Sequence, residues 1–273
     1  MLSRSGSKGY EDLVSVIIPN FNGAKFISEA INSVLSQTYS NCEIIVVDDG
    51  STDDSLQVLE SFSGKIALVS TENRGAAHAR NLGILHSKGE YLALLDADDY
   101  WHPQKLEKQV GYIKRSHTDL VYCASNVIDR DNNLVQVLRP QYSGNCYEQF
   151  KKKPTSAIVL AGCSSALFTR KILAATGLFN TNIKPPSEDW DFFRRVSKNG
   201  RIDFLSDTLV SYRLHGGNIS HQSKKINFDG NKSALEQLIR EDNEIRVIEK
   251  AMIWSRFYIS YIKTLVKWIN GRN

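Results

Sequence analysis

Three carboxylates lie within four consecutive residues, Asp96, Ala97, Asp98 and Asp99, directly after an apolar run. Carboxylate oxygens are suitable ligands for hard divalent cations such as Mg²⁺ or Mn²⁺. The cluster is therefore a candidate site for a divalent cation. The alternative is a solvated turn whose aspartates cap a helix. A calcium EF-hand loop does not fit, because its glycine and its terminal glutamate are absent.

The elements that would position this cluster follow from the hydrophobic pattern. Four apolar runs predict strands, and the segments between them carry helical periodicity. This alternation predicts an α/β fold, a parallel sheet with helices on both faces. Ligands of such sheets bind at the carboxyl ends of the strands, and three polar segments follow strands there. The runs are residues 14–18, 43–47, 66–69 and 91–95, and the polar segments are residues 20–23, 48–53 and 96–99.

The pattern is looser after Pro103. Residues 127–129 and 134–138 flank the turn-rich segment 130–133, which predicts a hairpin. Residues 151–154, Lys-Lys-Lys-Pro, predict a solvated loop. The remaining predicted elements are helices 104–116 and 187–199, the second ended by Gly200, strands 120–124 and 209–214, and a helical tail from Asn231 onward.

Composition restricts the function classes. The chain has 273 residues, 41% hydrophobic and 23% charged, which is ordinary for one large α/β domain or two small ones. The net charge, 34 − 30 = +4, is too small to indicate nucleic-acid binding. The four cysteines show no Cys-x-x-Cys spacing, which favours free thiols in a reducing cytoplasm. No signal peptide or membrane span is expected, so the reaction is expected on the cytosolic side.

Six segments, in order along the chain, resemble the signature segments of glycosyltransferase family 2, whose members have the GT-A fold. The resemblance covers about residues 14–220 and implies transfer of a sugar from a nucleotide-diphosphate donor to an acceptor hydroxyl. The GT-A fold implies a Rossmann-like nucleotide-binding sheet. The segments are residues 14–22, 46–53, 75–81, 89–99, 187–191 and 212–220.

The resemblance implies a metal site built on the acidic cluster. Asp98 would contact the metal, and Asp96 would contact the ribose or a metal-bound water. His215, which follows a predicted strand, would complete the metal site or contact the diphosphate. Imidazole is a better ligand for Mn²⁺ than for Mg²⁺, although either cation is possible.

The resemblance assigns the nucleotide base to two loops. Pro19, Asn20 and Phe21 would line it, and the Asp49 carboxylate would accept a hydrogen bond from the imide N–H of a pyrimidine. This favours UDP over GDP. The alternative is that Asp48 and Asp49 only begin a turn.

Two arginines are candidates for neutralising the diphosphate charge. Either Arg74 or Arg80 could contact it, but either could equally lie on the surface or pair with Asp48. The residues alone leave these alternatives open.

The resemblance assigns the catalytic base to the segment 187–191. Asp189 would accept the proton of the acceptor hydroxyl, with Glu188 beside it, and direct attack would invert the anomeric centre. Trp190 offers a flat face on which an acceptor sugar could stack, or it packs in the core. The alternative for the acidic residues is that they favour a helix N-terminus.

The C-terminal segment 246–270 has apolar and aromatic residues at helical spacing, with Lys250, Arg256, Lys263 and Lys267 on the narrower opposite side. A basic amphipathic helix with aromatic residues suits a membrane surface. The alternative is a helix packed against the catalytic domain or against a second subunit.

These observations predict a flexible N-terminus (1–12), a catalytic domain (13–222) with a nucleotide-binding half (13–100) and an acceptor half (101–222), and a C-terminal helical extension (223–273). The predicted enzyme is an inverting, metal-dependent glycosyltransferase, acting on a saccharide or lipid-linked oligosaccharide in surface polysaccharide synthesis. An inactive scaffold of the same fold and a sugar nucleotidyltransferase are the rival functions. The GxFD segment of the family appears here as residues 177–180 with Asn180 in place of the aspartate, which leaves Asp189 unaffected.

Overall fold

A computed structural model of the chain describes residues 10–154, 156–218 and 224–270, and of the last helix it excludes the side chains of residues 265 and 267–270. Residues 1–9 of the predicted flexible N-terminus and the predicted boundary at residues 222 and 223 lie outside the described residues.

The first half of the chain forms the predicted parallel sheet. Its strands lie in the order β3-β2-β1-β4, and each neighbouring pair is parallel. The segments between these strands form helices, as their periodicity predicts. The elements are β1 (Val14–Asn20), α1 (Ile27–Leu35), β2 (Cys42–Asp48), α2 (Ser55–Glu60), β3 (Ala67–Ser70), α3 (Ala76–His86) and β4 (Tyr91–Leu94).

One strand departs from the expected burial. Ala67 and Leu68 of β3 are exposed, although an apolar run in a covered sheet should be buried. β3 is the edge strand of the sheet, and the preceding helix α2 has only six residues. The covering of both faces therefore holds for β1, β2 and β4, whose apolar residues are buried, and fails at the edge.

The second half continues the same sheet in mixed directions. β8 is antiparallel to both β4 and β6, and β6 is parallel to β9. The predicted hairpin is confirmed as the antiparallel pair β6–β7. The elements are β5 (Tyr100–Trp101), α4 (Lys105–Ser116), β6 (Leu120–Ile128), β7 (Leu134–Leu138), α5 (Tyr147–Lys152), β8 (Leu167–Thr169), α6 (Leu173–Thr176), α7 (Glu188–Asn199) and β9 (Ile202–Arg213).

Two predicted elements in this half are wrong in extent. β9 begins at Ile202 and not at residue 209. The hydrophobic pattern did not indicate its first part, because that stretch is rich in polar residues, including Asp203 and Asp207. It pairs with β6 through register shifts. The predicted solvated lysine loop is in part the end of α5. Phe150 is fully buried one turn after Tyr147, and this pair anchors a short helix that Lys151 and Lys152 complete.

Apolar side chains pack on both faces of the sheet. One face is covered by α1 and α4, which bury Ile31 and Val110. The other is covered by α7 together with α8 (Lys224–Glu241) and α9 (Val247–Asn270), which bury Phe192, Leu235 and Phe257. The two C-terminal helices thus share the core of the catalytic domain, and the division into halves and an extension stays a prediction. In the described ranges no helix is long and apolar enough to cross a membrane.

Candidate active site

The loops after β1 and β2 are bound to each other. The Asn20 side-chain amide donates to Asp48 Oδ1 (2.9 Å), and the Asp49 backbone N–H donates to the Asn20 carbonyl (2.8 Å). Asn20 and Asp48 are buried, while the Phe21 ring, which follows Pro19 and Asn20, is half exposed. Asn20 therefore supports the turn from within, and the Phe21 ring is the part of the turn that a nucleotide base can reach.

The Asp49 carboxylate fixes the start of α3. Its two oxygens accept hydrogen bonds from the backbone N–H groups of Arg74 (3.0 Å) and Gly75 (2.8 Å). Gly75 has φ = 91°, in the left-handed region that favours glycine. Each carboxylate oxygen can accept a second hydrogen bond, so a role of Asp49 toward a pyrimidine stays a prediction. The Arg74 side chain is exposed.

The three carboxylates of the acidic cluster have three different environments. Asp99 is buried, and its oxygens accept from the Ser164 hydroxyl (2.6 Å) and from the Arg213 backbone N–H (2.9 Å). Burial, reinforced by the charges of Asp98 and Asp96, raises the pKa of Asp99 well above its usual value. Asp99 therefore stabilises the loop, whereas Asp96 and Asp98 are partly exposed and available to a ligand.

Asp98 and His215 meet although they are 117 residues apart. Asp98 Oδ2 lies 2.8 Å from His215 Nε2, and 3.2 Å from the side-chain amide nitrogen of Asn218. The Gly217 backbone N–H donates to His215 Nδ1 (3.1 Å), so Nε2 carries the ring proton and donates to the Asp98 carboxylate. The Phe26 ring packs against the imidazole with a centroid distance of 5.0 Å.

This pair fits a divalent cation that is shared with a ligand. One carboxylate oxygen and one imidazole nitrogen, both partly exposed, lie 2.8 Å apart. A cation that replaced the proton between them would meet a mixed donor set that is acceptable to Mn²⁺. Among the described residues no group of three or more His, Cys, Asp or Glu side chains could hold a metal by itself. The arrangement therefore suits an open site, in which diphosphate oxygens and water supply further ligands.

Arg80 joins the acidic cluster to the predicted base segment. Its guanidinium donates to Asp96 Oδ1 (2.8 Å) and to Glu188 Oε1 (3.0 Å). The side chain is buried, and its guanidinium lies 5.6 Å from the centroid of the Phe179 ring. For Arg80, the structure thus excludes two of the open alternatives, a position on the surface and an ion pair with Asp48. A direct diphosphate contact stays a prediction.

Asp189 lies at the start of α7, beside Glu188. Its Oδ1 accepts from the backbone N–H of Trp190 (2.6 Å). Burial, reinforced by the charge of Glu188, raises the pKa of Asp189 to about 7, although Arg80 acts in the opposite direction. A carboxylate with a pKa near neutrality is well suited to accept a proton from a hydroxyl group at physiological pH.

The Trp190 ring lies in the core. It is 7% exposed and meets Phe150 edge to face, with a centroid distance of 5.4 Å. In this arrangement it offers no open face to a sugar. The core alternative, and not acceptor stacking, describes this residue.

Two residues that hold the acidic cluster were missed by the sequence reasoning. The Ser164 hydroxyl accepts from the Asp96 backbone N–H (3.1 Å), in addition to its bond with Asp99. The buried Arg213 side chain donates through Nε to the Asp98 carbonyl (3.0 Å) and also pairs with Glu29. Ser164 has no recognisable sequence signal. Arg213 has one, a charged residue at the end of a predicted strand two positions before His215.

Known proteins of one family are similar to this chain. A family model described as glycosyl transferase family 2 matches residues 15–176. An uncharacterized glycosyltransferase of Rickettsia prowazekii is 35% identical over 210 residues, which cover 76% of this chain and 65% of that protein. The chain spans between 40% and 65% of the length of the first curated relatives that it matches.

Two solved structures are similar over most of the chain. S. aureus TarS 1–349 in complex with UDP-GlcNAc has a TM-score of 0.69 and 22% identity, and the match covers 90% of this chain and 71% of that one. The mannosyltransferase PcManGT from Pyrobaculum calidifontis, in complex with GDP-Man and Mn²⁺, has a TM-score of 0.62 and 21% identity, with 92% and 70% covered. These likenesses confirm the predicted fold class.

Proposed function

Because the chain belongs to glycosyltransferase family 2, we propose that it transfers a sugar from a nucleotide-diphosphate donor to an acceptor hydroxyl with inversion at the anomeric carbon. One observation carries the proposal. Arg80 contacts both Asp96, in the cluster after β4, and Glu188, at the start of α7. This contact supports a single active site that contains both the candidate donor site and the candidate base.

On the donor side, Asp98 and His215 would hold a divalent cation, Mn²⁺ or Mg²⁺. When bound, such a cation stabilises the negative charge that develops on the leaving diphosphate. Asp96, which is partly exposed and fixed by Arg80, would orient the ribose or a metal-bound water. The side chains of Asp98 and His215 are both partly exposed, so both residues can reach a diphosphate.

On the acceptor side, Asp189 would accept the proton of the attacking hydroxyl. Attack occurs on the face of the sugar opposite the diphosphate, so an α-linked donor gives a β-linked product. The pKa of about 7 means that a large fraction of Asp189 is ionised at neutral pH and ready to accept a proton. Glu188 is committed to Arg80 and would position Asp189 rather than act as the base.

The nucleotide is proposed to be UDP. Asp49 is placed beside the β1 and β2 loops with capacity for one more hydrogen bond per oxygen, as an imide N–H of uracil requires. TarS 1–349 was solved with UDP-GlcNAc, while PcManGT was solved with GDP-Man. The fold therefore accommodates both nucleotides, and the choice of UDP depends on Asp49.

The proposed acceptor is a saccharide or a lipid-linked oligosaccharide in surface polysaccharide synthesis. The cytosolic location and a homo-oligomeric state stay predictions. Asn180, which stands where the family has an aspartate, accepts a hydrogen bond from the Asn182 backbone N–H (3.0 Å) and so shapes a turn. Its substitution leaves the Asp189 site intact.

The proposal is tested by titration calorimetry with UDP and Mn²⁺. We expect metal-dependent binding that Asp98→Ala reduces by about tenfold or more, because a ligand of the cation is lost. Asp207→Ala is the matched control, since that exposed carboxylate pairs with Lys108 outside the site. If UDP bound equally well with and without metal, or if both variants behaved alike, the donor site would be misassigned.

A second measurement separates an active enzyme from an inactive scaffold. UDP-sugars are screened for Mn²⁺-dependent release of UDP, first with water and then with saccharide acceptors. A transferase releases UDP from a specific donor. A scaffold binds UDP without releasing it from any donor. A nucleotidyltransferase also releases no UDP here, and forms pyrophosphate only when it is given a nucleoside triphosphate and a sugar phosphate.

A further inference from the structure

The last helix, α9, is apolar on two opposite sides. On its inner side Ile253 and Phe257 are buried in the core, and the Phe257 ring meets Phe228 of α8 with a centroid distance of 5.2 Å. On its outer side apolar side chains are open to solvent. Apolar helix surfaces are normally buried, and the core covers only the inner side of α9. The outer side is therefore suited to contact a second apolar environment.

The outer side is continuous along the helix. At 100° per residue, its exposed apolar side chains lie within an arc of about 140°, opposite Ile253 and Phe257. Between residues 247 and 266, Ser255 is the single polar residue within that arc. We call this surface the outer face. Its exposed apolar side chains are Val247, Ile248, Met252, Tyr258, Ile259, Ile262 and Val266.

Positive charge accompanies the outer face. Residues 250–270 contain four basic residues and no acidic one, a charge of +4, which equals the net charge of the whole chain. Lys263 is exposed and lies beside the outer face in the helical projection. An apolar stripe edged by cations matches the acyl region and the anionic headgroups of a bilayer.

Other occupants fit this surface less well. α9 cannot span a bilayer, since the described helices include none that is long and apolar enough. In a second copy the same face would bring two clusters of positive charge together, and Glu249, near the start of the helix, is the one acidic residue of α9 available to offset them. We therefore propose that α9 docks in the plane of an anionic bilayer through its outer face.

Docking in this way would fix the active site relative to the membrane. α8 packs between α9 and the loop that precedes the base: the Ser187 hydroxyl donates to Asn231 Oδ1 (3.0 Å), and the Lys184 backbone N–H donates to the Ser233 hydroxyl (3.3 Å). A rigid connection from α9 to Asp189 suits an acceptor that is itself held in the bilayer. This consequence for the acceptor rests on the proposed function, whereas the docking does not.

The test is flotation of the whole chain with vesicles, without any substrate. We expect binding to phosphatidylcholine vesicles that contain about 30 mol% phosphatidylglycerol, and binding weaker by about tenfold to pure phosphatidylcholine, because the cationic contribution is lost. Ile259→Glu combined with Ile262→Glu is expected to reduce binding to the anionic vesicles by at least about tenfold. Leu85→Glu is the matched control, an exposed leucine on α3 that is expected to have no effect.

Three outcomes would overturn the proposal: no binding to anionic vesicles, equal binding by the double variant and the native chain, or a dimer in analytical ultracentrifugation that the double variant dissociates. The substituted residues are exposed, so circular dichroism should show an unchanged fold. Because no donor or acceptor is present, failure of this test leaves the proposed reaction unaffected.

Discussion

The two proposed halves of the active site are held by different interactions. In the half proposed to bind the nucleotide, the loops after β1 and β2 lie at the ends of adjacent parallel strands and are fixed by hydrogen bonds to neighbouring loops, as Asp49 is by Gly75. In the half proposed to carry the base, the site lies at the start of α7, and α7 is fixed by buried charges that reach α8. These two loops are therefore held by contacts within the first half of the chain, whereas α7 depends on Glu241.

The charges behind α7 form a network. Asp191 is fully buried between Arg194 (2.7 Å) and Arg195 (2.9 Å), and Glu241 of α8 also pairs with Arg194 (2.7 Å). Asp191 is only two residues from Asp189. A change at α7 or α8 should therefore affect proton transfer and leave nucleotide binding unchanged, so the two can be separated experimentally.

The largest effect is expected from Asp189→Asn. Loss of the proposed general base should lower the rate of transfer by about 10²–10⁴-fold. The affinity for UDP and Mn²⁺ should stay unchanged, since Asp189 is not among the residues proposed to hold the nucleotide or the cation. Steady-state kinetics and calorimetry measure the two quantities. Full transfer activity in this variant would refute the assignment of Asp189.

The next effect tests the network itself. Arg194→Met removes one of the two cations that pair with the buried Asp191, while Arg195 remains. The free energy of unfolding should therefore fall by about 1–3 kcal/mol. Arg240→Met, at an exposed position of α8, is the control and should change it by less than about 0.5 kcal/mol. Denaturant unfolding measures both. Equal values for the two variants would break the comparison between the halves.

A third prediction concerns a buried cation outside that network. Lys105 is fully buried, with its ammonium group 2.8 Å from Gln109 Oε1 and 3.9 Å from the Trp101 ring centroid. Burial lowers its pKa to about 7, against about 10.4 in an unfolded chain. Between these values the unfolded chain binds a proton that the folded one does not, so stability should rise with pH from about 7 to about 10.

Lys105→Met should remove this pH dependence, because methionine does not titrate. Lys108→Met, at a partly exposed position one turn later, is the control and should keep the pH dependence. Urea unfolding at several pH values provides the measurement. A native chain whose stability did not rise above pH 7 would contradict the assignment.

The smallest effect is expected at the residue that joins the halves. Arg80 lowers the pKa of Asp189, so Arg80→Met should move the rise of kcat/KM with pH to higher pH. The base acts in its ionised form, which a higher pKa makes scarcer at neutral pH. Arg80→Lys keeps the charge and should move the profile less. A profile that neither variant displaces would mean that Arg80 only supports the fold.

The alternation of strands and helices up to β4 could be predicted from the sequence, because hydrophobic periodicity reports which side of each element faces the core. The sequence also placed three polar segments at one edge of the sheet, since the carboxyl ends of parallel strands meet there. The resemblance to a family supplied Asp98, Asp189 and His215 as site candidates. Each of these predictions rests on a pattern within a short segment, and such patterns can be recognised without knowing which segments contact each other.

The residues that contact those candidates could be identified from the tertiary structure and not from the sequence. The tertiary structure placed Arg80 between Asp96 and Glu188, enclosed Asp99 beneath Ser164, and buried Trp190 against Phe150. It also showed that β9 begins earlier than its apolar residues indicate, because a strand can continue through polar positions when its neighbour supplies the hydrogen bonds. Each of these outcomes depends on residues far apart in the chain, and periodicity carries no information about such pairs.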